Sequence, residues 1–199
     1  SMTTSQPLRQ SLRQKRRALS AHQQIQHSQQ ACRHFMRSRW AQRPKRIALF
    51  LSQDGEMSTK PLIQKLWHRA HQVYLPVVLD SGLLKFALYL PDSRLAPNRF
   101  GIEEPVTRPG DWLDPKMLDI VIMPLVGFDL QGHRLGMGGG FYDKTFAFQR
   151  HMQRKPTLIG WAHQCQKVES LPCQPWDVPM DALVTEQGIV EFKARLSIS

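Results

Sequence analysis

The sequence predicts an α/β protein with a mainly parallel sheet, and three observations carry that expectation. Two apolar runs of strand length, IALFL at Ile47–Leu51 and IVIM at Ile120–Met123, read as strands buried on both faces. Stretches of helical spacing separate the strand-like runs, the order that builds a parallel layer. A glycine-rich turn, Gly132-HRLGMGGGFYDKTF-Ala147, follows the second run and leads into a further helical pattern.

The elements follow in order. Leu8–Leu19 places Arg9, Arg13 and Arg16 or Arg17 along one side of a helix, with Leu8, Leu12 and Leu19 as a thin apolar stripe. Ser20 suits the N-cap of a second helix over Ala21–Ser38, before Pro44 breaks the pattern. Arg46–Leu51 is the first strand, and Ser58 or Thr59 caps a helix through Ala70. Gln72–Val78 and Lys85–Leu90 are strands, the latter in a meander with the FGIEEP turn. The Pro-rich stretch Pro91–Pro115 reads as ordered surface loop, and Leu118–Leu125 as a fourth strand. A helix from Phe141 to about Gln153 should follow the glycine turn, and Thr157–Ala162, Ala182–Thr185 and Ile189–Lys193 close the series. There is no repeat and no low-complexity linker. The expectation is one domain over residues 1–199, with residues 1–7 frayed or tag-derived, since the opening Ser-Met resembles a tag remnant.

Composition narrows the function. No apolar run approaches the roughly 20 residues of a membrane-spanning helix, and no secretory core opens the chain, so the cytoplasm is the default location. Cys32, Cys165 and Cys173 show no metal-binding or disulfide spacing and read as reduced packing residues. Lys and Arg total 27 against 16 Asp and Glu, a net charge of +11, which favours polyanionic partners such as nucleotide or polycarboxylate. A nucleic-acid module built on the basic N-terminal helices is the competing class. It lacks any recognisable motif, and aromatic residues do not interleave with the basic run.

The glycine turn holds five glycines within nine residues, a costly concentration of backbone freedom. Between a strand and a helix, bare backbone N–H groups can close around phosphate oxygens. The pattern is neither a P-loop, because Asp143 precedes Lys144-Thr145, nor a dinucleotide fingerprint, because Gly136, Gly138 and Gly140 give GxGxG. A tight structural turn explains the glycines equally well. The flanks favour phosphate: Arg134 is a forked anion donor, and Asp143 suits a divalent ion carried on phosphates.

The segment Arg134-LGMGGGFYDK closely resembles the RLGxGxGYYD signature of the 5-formyltetrahydrofolate cyclo-ligase family. The resemblance extends to RRALS, IALFLSQDGEMST, FGIEEP, DIVIMPLVGFD with its Asp129 loop, and WDVPMDALVTE, from about Leu8 to Glu186. It implies a three-layer α/β/α fold of the ribose-phosphate isomerase and CoA-transferase type, with added N-terminal helices. It further implies ring closure of 5-formyltetrahydrofolate to 5,10-methenyltetrahydrofolate, dependent on ATP and Mg²⁺, through a phosphorylated formyl oxygen. The partners would then be reduced folate and ATP, with no nucleic acid or membrane, on a monomer or weak dimer. An isomerase or CoA-transferase sharing only the fold would lack the ATP loop.

Residue by residue, the resemblance assigns ATP to Arg9, Arg13, Arg134, Leu135, Gly136, Met137, Gly138, Gly139, Gly140, Phe141 and Tyr142. Arg134 and Tyr142 would stand at the reacting groups. Folate falls to Leu51 and Glu56, and also to Met137, Gly138, Gly139, Gly140 and Phe141. Metal falls to Asp143 and Asp181. Ser5 stands where the family often has lysine, which leaves the N-terminal ATP contacts to Arg9 and Arg13. Met137 and Phe141 replace commoner residues, so Tyr142 is the only phenol of the turn. Read from sequence, Glu56 is a loop acid that should contribute little to folding.

Overall fold

In the computed structural model, which describes residues 2–150 and 156–192, the chain opens with α1 (Met2–Arg17) and α2 (Ala21–Arg37). It continues through β1 (Arg46–Ala48), α3 (Lys60–His68), β2 (Gln72–Val78), β3 (Leu84–Leu88), β4 (Leu95–Pro97) and β5 (Glu103–Pro105). There follow β6 (Ile120–Met123), β7 (Gly127–Phe128), β8 (Arg134–Leu135), α4 (Phe141–Thr145), β9 (Thr157–Trp161), β10 (Ala182–Thr185) and β11 (Gly188–Glu191). The main sheet has seven strands in the order β11-β10-β9-β6-β1-β2-β3. Strands β10, β9, β6, β1 and β2 are parallel, and β11 and β3 flank them antiparallel.

The continuous apolar runs have the expected cause. Every residue of β6 is buried, and alternate side chains serve opposite faces. Ile120 and Ile122 join Phe35 of α2 and Leu62 and Leu66 of α3 in one core cluster. Val121 and Met123 join Phe86, Phe146, Val178 and Met180 on the other face. α2 begins at the predicted cap: Ser20 Oγ accepts from Gln23 N–H at 3.0 Å, and Gln23 Oε1 accepts from Ser20 N–H at 2.9 Å. Of the two candidate caps for α3, the Thr59 hydroxyl donates to the Phe50 carbonyl, while Ser58 Oγ accepts from Lys60 N–H at 3.1 Å.

α1 spans Met2–Arg17. Three expectations need correction. The Pro91–Pro115 stretch is not simply loop: β4 and β5 pair there as a small antiparallel hairpin. The closing strand is Gly188–Glu191, and Lys193 lies outside the described residues. The helix after the glycine turn is α4, only five residues long, followed by a 3₁₀ turn at Ala147–Arg150. Tertiary packing ends it: Phe146 is fully buried, with Phe86 at 6.1 Å, Tyr142 at 6.2 Å and Phe148 at 6.0 Å between ring centroids. Residues 151–153 of the expected helix lie outside the described residues. No helix among the described residues is long and apolar enough to cross a membrane.

α1 lies over loops that follow the strands. Leu12 packs with Val126, Leu135 and Leu171. Arg16, 1% exposed, donates from Nε to the Asp54 carbonyl at 2.8 Å and reaches the Leu125 carbonyl and the Asp54 carboxylate at 3.4 and 3.3 Å. Arg17 forks onto the same carboxylate at 2.6 and 2.8 Å. The turn they hold has positive φ at Asp54 and Gly55, and a Cβ on Gly55 would sit 3.3 Å from the Arg16 carbonyl oxygen. Arg16→Leu should leave the Asp54 carbonyl without its donor, strip a cation from the Asp54 turn and lower the free energy of unfolding by roughly 2–4 kcal/mol. Urea titration with an unchanged m-value checks this; a loss under about 0.5 kcal/mol would show that the turn holds itself.

Candidate functional site

Extended backbone after β1, the C-terminal half of β2, and Pro124 after β6 form one side of a cavity of about 720 Å³. This is the carboxyl end of the parallel sheet, where open α/β sheets gather their ligands. α1 supplies Ser5, Gln6 and Arg9, the glycine turn supplies Arg134–Asp143, and the hairpin supplies Phe100, Ile102 and Glu103.

Glu56 is presented by the turn that Arg16 and Arg17 hold. It is only 8% exposed, and its Oε1 accepts from Gln53 N–H at 3.0 Å. Its Oε2 is buried without a hydrogen-bond partner. Burial pushes its pKa up to about 7, against a smaller opposing pull from the Gln53 N–H and the Arg16 charge. The loop acid of the sequence reading is therefore a buried carboxyl.

Arg134 opens the glycine turn from β8. Its side chain is 5% exposed and lies over the Tyr142 ring at 5.6 Å. One terminal nitrogen reaches Asp143 Oδ1 at 3.4 Å, while Nε is buried and unpartnered. Asp143 Oδ1 also accepts from Val178 N–H at 2.9 Å, which fixes the carboxylate at the cavity wall. Arg9 Nε donates to the Gly136 carbonyl at 2.8 Å and so ties α1 to the glycine turn. Burial first, then the neighbouring charge of Arg13, lowers the pKa of Arg9. Burial raises the pKa of Tyr142, so its hydroxyl remains protonated and available as a donor.

Within the turn, Gly138 and Gly140 have φ of 107° and 68°, values that favour glycine, and a Cβ on Gly138 would meet open space. A Cβ on Gly139 would fall 2.5 Å from the Phe141 ring. The bare backbone is therefore required by conformation at two positions and by the aromatic ring at a third. Because α4 is one short turn, its dipole adds little positive potential, and anion binding falls to the arginines and backbone N–H groups.

The structure gathers most of the predicted residues. Leu51, Glu56, Arg9 and the whole segment Arg134–Asp143, with Leu135, Gly136, Met137, Phe141 and Tyr142, line one cavity. Arg13 does not line it and acts on Arg9 through charge. Asp181 is a correction. It precedes β10 at the opposite, amino end of the parallel strands, and its Oδ2 accepts from Leu158 N–H at 2.8 Å. It thus caps the start of β9 and does not join Asp143 at the cavity. Sequence reasoning missed Phe100 and Trp176, which line the mouth and are 52% and 59% exposed. Phe100 meets Phe141 edge-on at 6.0 Å. An aromatic residue in each of two Pro-bounded loops, FGIEEP and QPWDVP, was the available signal.

A model of the 5-formyltetrahydrofolate cyclo-ligase family matches residues 1–186. The chain belongs to that family. The 5-formyltetrahydrofolate cyclo-ligase of Escherichia coli (strain K12) is 45% identical over 183 residues, covering 91% of this chain and all of the relative. The Haemophilus influenzae cyclo-ligase is also 45% identical, over 90% of this chain and 96% of its own. The solved structure of Aquifex aeolicus 5,10-methenyltetrahydrofolate synthetase is 30% identical with a TM-score of 0.80, covering 97% of this chain and 95% of that one. Membership in this cyclo-ligase family makes the chain a ligase and agrees with the α/β fold.

The raised Glu56 pKa has a thermodynamic consequence. Below pH 4.5 the carboxyl is protonated in both folded and unfolded chains, and burial carries no charge penalty. Above that pH the unfolded chain ionises first, so stability falls until the folded group ionises near pH 7. Glu56→Gln should therefore stabilise the ligand-free protein above pH 7 by up to about 3 kcal/mol and change little below pH 4.5. Melting curves at pH 4.3 and 8 check this; equal shifts at both would remove the charge penalty from the account.

Proposed function

We propose that the protein closes 5-formyltetrahydrofolate to 5,10-methenyltetrahydrofolate while ATP is converted to ADP and phosphate, with Mg²⁺ accompanying the nucleotide. The observation that carries this reading is a pair of buried, unpartnered polar atoms in one cavity, Glu56 Oε2 and Arg134 Nε. One is an acceptor and the other a cationic donor. A ligand that offers N–H groups at one end and phosphate oxygens at the other would satisfy both.

The pterin of the reduced folate presents adjacent N–H donors, and ionised Glu56 would receive them. Leu51, Met137, Phe141, Phe100 and Trp176 supply apolar walls for its rings. Arg134, Arg9 and the backbone of Gly136–Gly140 suit the phosphates of ATP, with Arg13 adding long-range charge. Asp143 fits Mg²⁺, which usually takes one or two carboxylates and completes its shell with phosphate oxygens and water. When bound there, Mg²⁺ would neutralise phosphate charge and help orient the transferred group. An amide oxygen is a weak nucleophile, so holding the formyl oxygen in line with the γ-phosphate would supply much of the acceleration. Arg134 would stabilise charge on that phosphate, and Tyr142 would donate from a neutral hydroxyl. Transfer gives a phosphorylated formyl oxygen; attack by N10 on the formyl carbon then expels phosphate. The free cysteines Cys32, Cys165 and Cys173 suit a reducing compartment, in agreement with action in the cytoplasm.

The direct test is the growth of methenyl absorbance on mixing the protein with Mg-ATP and 5-formyltetrahydrofolate. Turnover that survives chelator or omission of nucleotide would refute this chemistry. Arg134→Lys should lower kcat by roughly 100-fold, because a point charge cannot replace the fork.

Glu56 gives a pH signature. Since N–H groups pair with the ionised form, folate KM should fall as pH rises from 6 to 8. Glu56→Gln should raise that KM at pH 8 by roughly 30-fold or more and flatten its pH dependence. An unchanged folate KM in the variant would move the pterin elsewhere.

A further inference from the structure

A second cluster sits against the same turn but outside the residues that line the cavity. His27 lies on α2, His163 two residues after β9, and Glu186 directly after β10. One nitrogen of each imidazole and one Glu186 carboxylate oxygen lie within 4.8 Å of one another. The two Nδ1 atoms are 2.9 Å apart, and His27 Nε2 lies 3.7 Å from Glu186 Oε2.

The surrounding bonds determine which atoms carry lone pairs. His163 is fully buried, and its Nε2 lies 3.1 Å from the Gly55 carbonyl, which can only accept. His163 Nε2 therefore carries the proton, and its Nδ1 lone pair faces His27. His27 Nδ1 must then donate to His163, which turns the His27 Nε2 lone pair toward a carboxylate unless a cation intervenes. Glu186 is held from the other side, its Oε1 accepting from Gln164 N–H at 2.9 Å. A ring N–H on a backbone carbonyl and a carboxylate pinned by a backbone N–H are the outer bonds that orient metal ligands.

We propose that His27, His163 and Glu186 form a binding site for a borderline divalent transition metal, of which Zn²⁺ is the representative probe. Two imidazole nitrogens and one carboxylate oxygen are the donor set such ions favour over Mg²⁺ or Ca²⁺. Tetrahedral bonds of about 2.0–2.2 Å place ligand atoms about 3.3–3.6 Å apart, so movements on the order of 1 Å close the set. His27 and Glu186 side chains retain 17% and 12% exposure, enough for an ion and a completing water to enter. The metal would take the lone pairs of His27 Nε2 and His163 Nδ1, breaking the hydrogen bond between the rings while His27 Nδ1 keeps its proton, and would clamp α2 to the ends of β9 and β10. Because His163 also holds Gly55, the clamp would bear on the turn that presents Glu56. The site is independent of the proposed ligase chemistry.

Tag-free protein titrated with Zn²⁺ against a chromophoric chelator should take up one equivalent with a Kd below about 1 μM, and Co²⁺ at the same site should give visible d–d bands. His27→Ala and Glu186→Gln should each weaken that equivalent at least about tenfold, with wild-type circular dichroism confirming the fold. Asp143→Asn should retain it, which separates this site from the cavity. Cys165→Ser should also retain it, although Cys165 lies within electrostatic reach of Glu186. If His27→Ala does not fold, Glu186→Gln decides the matter. The proposal is overturned if no equivalent binds tighter than about 10 μM, if it survives both ligand variants, or if it is lost in Asp143→Asn or Cys165→Ser.

Discussion

Two buried polar atoms without protein partners, Glu56 Oε2 and Arg134 Nε, set the terms for the rest of the molecule. Each unsatisfied group costs on the order of 1–3 kcal/mol, more when charged, so the fold must hold it in place against relaxation. For Glu56 the restraint is the turn gripped by Arg16 and Arg17, with Gln24 Nε2 donating to the Gly55 carbonyl at 3.0 Å from α2. For Arg134 it is the Tyr142 ring and Asp143, itself fixed by Val178 N–H. A site that holds an acceptor and a cationic donor in fixed places is preorganised, and little reorganisation remains when ligand enters.

The basic N-terminal helix is part of this arrangement. Arg9 binds the Gly136 carbonyl, Arg16 is buried against two carbonyls, and Arg17 is forked onto Asp54. Three of the arginines that suggested a polyanion-binding face are thus engaged by the protein itself, Arg16 buried and Arg17 in a surface pair with Asp54. This geometry explains why so much charge accumulates in one helix: α1 closes both the glycine turn and the Glu56 turn.

Much of the fold was legible because its causes are local. Strands buried on both faces must be apolar throughout, as Ile120–Met123 is, and a capping box writes its signature within four residues, as Ser20 and Gln23 do. The glycine turn with its flanking Arg134 and Asp143 was legible for the same reason. What remained hidden depends on distant partners. Phe146 ends α4 because Phe86 and Phe148 receive its ring, and no helix propensity reports that. Asp181 reads like any acid before a strand, yet topology places it at the end of the sheet remote from the cavity. The burial of Glu56 arises from α1 folding over its turn, contacts separated by about forty residues in the chain.

The charge state of Glu56 tests the account most directly. Selective ¹³C labelling of glutamate, with assignment through Glu56→Gln, would follow its carboxyl resonance across pH in the ligand-free protein and with 5-formyltetrahydrofolate added. A midpoint near 7 without ligand, moving down toward the ordinary carboxylate range once pterin N–H groups pair with the carboxylate, is the expected result. A midpoint near the ordinary 4.5 in the free protein, or one that does not move with ligand, would contradict the claim that this cavity keeps an unpartnered acid waiting for its substrate.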